Sequence, residues 1–87
     1  MMPQYVIRLI PSGDTGRKLA QIRDAVGAHR VVPASLSGLY GYTFFFDERQ
    51  RTYVNFYANE MKFACAPNTP AMREKLQLVR NAVLLLW

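Results

Sequence analysis

The sequence predicts an α+β fold, a two-layer sandwich with an antiparallel sheet on one side and two amphipathic helices, at about 14–27 and 69–84, on the other. Three observations predict it. Two segments carry apolar residues at helical spacing. Several others are extended, rich in β-branched and aromatic residues, and bounded by turn formers. The two kinds follow one another in the order β-α-β-β-β-(β)-α. A helix with one apolar stripe needs a sheet face to cover, so the elements predict one shared core and one domain, 1–87.

Gln4 to Ile10, "QYVIRLI", is nearly continuous in apolar character and reads as a central strand closed by Pro11, Ser12 and Gly13. The first helix follows, with Leu19, Ile22 and Val26 on one stripe, Asp14 as its N-cap and Gly27 as its stop. Val31 and Val32 begin a strand that Pro33 pushes to an edge or a bend. Leu39 to Asp47 form a strong strand, and the charged run "DERQR" turns the chain back. In "TYVNFYAN" Val54, Phe56 and Ala58 alternate with Tyr53, Asn55 and Tyr57, which favours a hairpin strand; Tyr53, Val54 and Tyr57 also fit a helix. "MKFACA" is short and extended. In the last element Thr69 caps, Pro70 takes the first helical position, and Met72, Leu76, Val79, Val83 and Leu86 follow a 3.6 period, with "VLLLW" as a possible closing strand. A β-α-β opening followed by antiparallel strands points to the ferredoxin-like split-βαβ plait.

A net charge of +5, carried by arginine more than lysine, suits forked contacts with phosphate or carboxylate. It predicts a nucleic acid or an acidic protein surface as partner. One cysteine forbids an intrachain disulfide. The first residues lack the pattern of a signal peptide, and the longest apolar run, "AVLLLW", is far short of a membrane span. These features predict a cytoplasmic protein with no membrane contact.

The turn "IPSGDTGRKLAQI" is not a phosphate-binding loop of the Walker type: its glycines are too close, its lysine is one place late, and Leu19 stands where a hydroxyl belongs. Arg17 and Lys18 at the helix start remain a candidate anion contact. No metal-ligand spacing occurs, and no cofactor is predicted. His29 is the lone histidine and Cys65 has no neighbour to activate it, so no catalytic residue is assigned. The one enzymatic alternative is a metal-independent ribonuclease using His29, Arg30, Arg49, Arg51 and Tyr53.

"LYGYTFF" resembles part of the RNP1 strand of RNA-recognition motifs, with Tyr40, Gly41, Tyr42 and Phe45 on its aromatic and small positions, although Gly38-Leu39 replaces the basic-glycine pair. That resemblance implies bases stacked on the strand's aromatics. "SGLYGYTFFFDE" also resembles the glycine-led strand of ACT-type regulatory domains, which implies an amino-acid ligand and a dimer. Around the predicted hairpin, Arg49, Arg51 and Lys62 interleave with Tyr53 and Tyr57, as in surfaces for single-stranded nucleic acid.

The leading expectation is therefore a non-enzymatic protein that binds RNA or single strands through Tyr40, Tyr42, Arg49, Arg51, Tyr53, Tyr57 and Lys62. The alternatives are a protein-interaction module, such as an inhibitor of the phage or mobile-element type, and an ACT-like domain. A homodimer through Val83, Leu84, Leu86 and Trp87 is a further possibility at the apolar C-terminal run.

Overall fold

A computed structural model describes residues 13–36 and 39–87. Helix α1 spans Thr15–Val26, strands β1 to β4 span Arg30–Leu36, Leu39–Phe45, Tyr53–Tyr57 and Lys62–Ala66, and helix α2 spans Pro70–Leu86. The four strands form one antiparallel sheet in the order β1-β2-β3-β4, each paired with its neighbour in sequence. The expected strand at Gln4 to Ile10 lies outside the described residues. A split-βαβ plait requires a parallel pair, and among the described residues every pairing is antiparallel.

Helix α1 stops as its composition dictates. Gly27 takes a left-handed φ of 72°, and its N–H reaches back to the carbonyls of Arg23 and Asp24. Helix α2 starts on Thr69, whose side chain accepts from the Met72 N–H at 3.2 Å, with Pro70 in the first turn where a missing donor costs nothing. It stays helical to Leu86, so "VLLLW" is the last turn of a helix and not a strand. Pro33 does not break β1, which runs through it opposite Tyr42. The strand lies at the edge of the described sheet, where the missing donor is tolerated.

Residues 53–57 are a strand, with Val54 and Phe56 fully buried and Tyr53, Asn55 and Tyr57 half-buried between them. This alternation fixes the two faces of the sheet. Tyr42, Phe44, Val54 and Phe56 face the helices and meet Leu19, Ile22 and Val26 of α1 and Met72, Val79, Ala82 and Val83 of α2. Phe63 and Cys65 join them from β4, opposite Phe56 and Val54. Phe63 stacks on Phe56 at 4.8 Å, and Trp87 closes the end of the core against Tyr42 at 5.9 Å and Phe56 at 5.7 Å. Each fully buried large side chain contributes about 1.5–3 kcal/mol. No described helix is long and apolar enough to cross a membrane.

Candidate nucleic-acid interface

With both helices on one side, the pleat sends the alternate residues to the other. Register aligns them in rows across the sheet: Arg30, Phe45, Tyr53 and Ala66; Val32, Thr43, Asn55 and Ala64; Ala34, Gly41, Tyr57 and Lys62. No described element packs over this outer face. Phe45 and Tyr53 meet edge to face at 5.8 Å, a favoured aromatic geometry that holds both rings in place. Tyr57 lies four residues beyond Tyr53 on the same strand, about 13 Å away along the sheet.

The cations gather at one end. Arg30 stands exposed at the start of β1, in the row of Phe45 and Tyr53. The turn joining β2 to β3 leaves that same end and carries Arg49 and Arg51, both exposed. Asp47 organises the turn: its Oδ1 accepts at 2.9 Å from the Thr52 N–H, the Arg51 N–H and the Thr52 hydroxyl. These bonds, the Thr52 N–H foremost, hold the Asp47 carboxyl below its usual range. Its charge is thus directed into the backbone, and among the described residues Arg30, Arg49 and Arg51 have no ion-pair partner. Lys62 lies at the far end in the row of Tyr57, 3.7 Å from Glu60, a weak exposed pair.

The expected nucleic-acid residues are therefore only partly brought together. Tyr53, Tyr57 and Lys62 share the outer face, with Arg49 and Arg51 on its rim. Tyr42 does not belong to them: it is 8% exposed and packs under the helices against Phe56 and Trp87, so no base can stack on it. Tyr40 pairs in register with Ser35, two places along β2 from Tyr42. Thr43 and Asn55 belong to the face but were not among the expected site residues; Arg30 was expected only in the ribonuclease alternative, and Phe45 only through the RNP1 resemblance. Register was the signal that could have found them. Once Val54 and Phe56 are assigned inward, antiparallel pairing of the hairpin puts Phe45 beside Tyr53 and Thr43 beside Asn55.

At the opening turn Arg17 pairs with Asp14 at 3.2 Å, an exposed and weak pair, and the Lys18 ammonium donates to the Trp87 carbonyl at 3.2 Å. The Lys18 bond ties the start of α1 to the end of α2, whose last turn has no basic residue of its own. Nor is the C-terminal run a dimer seam as a set: Val83 is fully buried, and Leu86 and Trp87 pack on the core. Leu84 is half-exposed, and Leu78 and Leu85 are the other large apolar side chains left open among the described residues.

His29 is exposed, and its N–H donates to the Phe45 carbonyl at 2.7 Å, which brings it to the arginine-rich end as well. Cys65 faces the core opposite Val54. The described residues contain no group of His, Cys, Asp and Glu able to hold a metal ion. Compared with known proteins, the chain matches no family, no curated protein and no solved structure.

Proposed function

We propose that this protein is a small non-enzymatic binder of single-stranded nucleic acid, RNA above all, and that the outer face of its sheet is the binding surface. The observation that carries this reading is the row Arg30–Phe45–Tyr53, a fixed aromatic pair beside a cation, with Arg49 and Arg51 on the adjoining turn. Aromatic rings accept bases by stacking while arginines hold the phosphates between them, a division of labour that tolerates any sequence. Tyr57 and Lys62 extend the track toward the opposite end of β3 and β4. For the whole chain the reading includes the plait order, with residues 4–10 entering the sheet as a strand parallel to one of those described.

The test is a titration of fluorescein-labelled single-stranded RNA, read by anisotropy, with the wild-type protein and with Tyr53→Ala/Tyr57→Ala. Loss of one stacking ring costs about 1–3 kcal/mol, roughly 5- to 150-fold in Kd. The double variant should bind at least that much more weakly, with the RNA recovered uncut from both mixtures. Equal binding by the two proteins would refute the reading, and cleaved RNA would replace it with the ribonuclease alternative.

A second reading is favoured by a different observation. Helix α2 leaves Leu78 and Leu85 exposed at a two-turn interval, beside a shallow groove lined by Pro70, Arg73, Glu74, Gln77 and Leu78. That surface suits a protein partner with an apolar centre and an acidic rim. Such a module would co-purify as a stoichiometric protein complex and show no affinity for free nucleic acid.

A further inference from the structure

The middle row of the outer face is neutral: the Thr43 hydroxyl donates to Asn55 Oδ1 at 2.7 Å, and Val32 and Ala64 flank that pair. Phosphate charge at the Phe45–Tyr53 end is therefore met by Arg30 and by the β2–β3 turn, which opens with two carboxylates, Asp47 and Glu48, ahead of Arg49 and Arg51. The carboxylates stand differently. Glu48 is exposed, and its side chain makes no hydrogen bond or ion pair among the described residues. Asp47 grips the far side of the turn: Oδ1 takes the Arg51 N–H, the Thr52 N–H and the Thr52 hydroxyl, and its carbonyl accepts from the Gln50 N–H at 3.2 Å. The Phe46 N–H closes the base of the turn on the Thr52 carbonyl at 2.9 Å, and Lys75 of α2 lies over the Phe46 ring. A negative charge beside a phosphate path repels the strand, so by Coulomb's law alone removing Asp47 strengthens RNA binding. The hydrogen bonds point the other way. An arginine on a turn of fixed conformation loses less freedom on taking a phosphate than one on a mobile turn, and that freedom is a cost of binding.

We propose that Asp47 is a positioning residue of the nucleic-acid surface, whose side chain holds the β2–β3 turn in the conformation that presents Arg49 and Arg51 to a phosphate backbone. The inference rests on the nucleic-acid reading of the same face. Asp47 acts through the turn, since its Oδ1 already serves three donors of the protein. Asparagine at this position keeps an oxygen acceptor without the charge, whereas alanine removes both.

The experiment measures Kd for one labelled single-stranded RNA with wild type, Asp47→Asn, Asp47→Ala and Glu48→Gln, each checked for fold by circular dichroism. The two Asp47 variants carry the same charge, so a difference between them is positional. Asp47→Ala should bind about 2- to 10-fold more weakly than Asp47→Asn, the scale of ordering one arginine side chain. Glu48→Gln, which only removes an anion, should bind more tightly than wild type, by up to about 5-fold. With Arg49→Gln/Arg51→Gln added, the difference between the Asp47 variants should vanish, which a general loss of stability would not produce. Thr52→Val changes no charge, removes one of the three bonds and should bind about 2-fold more weakly than Thr52→Ser, so it carries the test if Asp47→Ala does not fold. Equal binding within either pair, or a difference that persists without the arginines, overturns the assignment while the stacking surface stands. Failure of wild type to bind RNA at low salt would remove both readings together.

Discussion

Replacing Trp87 by alanine tests whether the C-terminal turn belongs to the core or to a seam between copies. The indole touches two core rings, Tyr42 at 5.9 Å and Phe56 at 5.7 Å, and is largely covered. A tryptophan buries about 200 Å², and with roughly two-thirds of that covered the transfer contribution is about 3 kcal/mol at 25 cal/mol per Å². The Lys18 bond is to the backbone carbonyl of Trp87, so alanine keeps it, and the loss is one of packing. For a domain of this size each kcal/mol moves Tm by about 4–8 °C, so the variant should melt about 12–24 °C lower. The assay is thermal denaturation by circular dichroism at two protein concentrations differing about tenfold, beside size exclusion with light scattering. On the core account the wild-type Tm is independent of concentration and both proteins run at the same mass. A wild-type Tm that climbs with concentration, together with a Trp87→Ala protein that stays folded but halves in mass, would refute the packing argument and restore the seam.

Further expectations follow from the turns and the helix tie. Asp47 has a lowered pKa, so its contribution to stability is complete above the unfolded value of 3.8 and is lost as pH falls through the folded value; Tm measured against pH should drop at that acid edge in wild type and less so in Asp47→Asn. Gln50 holds φ at 58° at the end of the same turn, a conformation glycine adopts freely, so Gln50→Gly should raise stability by about 0.5 kcal/mol in a urea melt, and Gln50→Val should lower it. Lys18→Met removes the cation at the end of α2 and should cost about 0.5–1 kcal/mol in stability while leaving RNA affinity unchanged; a large loss of affinity would return the opening turn to the binding site.

The helices were legible because each carries its own punctuation. Gly27 closes one and Thr69-Pro70 opens the other, whereas Asp14 holds the N-cap position of the first without a side-chain capping bond; boundaries fell within two residues of those seen. Alternation favoured a strand at 53–57 over a helix, and the structure bears that out; which faces of the equally aromatic Tyr42–Phe45 point inward was not readable that way. Both faces of that strand carry rings, and only the pairing of Phe44 with Val54 decides which rings lie under the helices. Tyr42 was misplaced for this reason, since a phenol fits a stacking platform and a core edge alike. Long-range partners stayed hidden for a related reason. Nothing local to Lys18 reveals that Trp87, far along the chain, closes onto it, and the hydroxyl of Thr43 gives no sign of Asn55 until the hairpin is formed.

The most direct test of the outer face as a nucleic-acid surface is the salt dependence of binding to a single-stranded RNA. Arg30, Arg49 and Arg51 are the cations at its aromatic end without an ion-pair partner among the described residues. Three phosphate contacts on a single strand give a slope of log K against log salt near −2, which is about a 20-fold loss of affinity between about 50 and 200 mM. Replacing Arg30 and Arg51 by glutamine should cut that slope by roughly two-thirds, to about −0.7. A flat salt response, or a steep one that these substitutions leave untouched, would contradict the account.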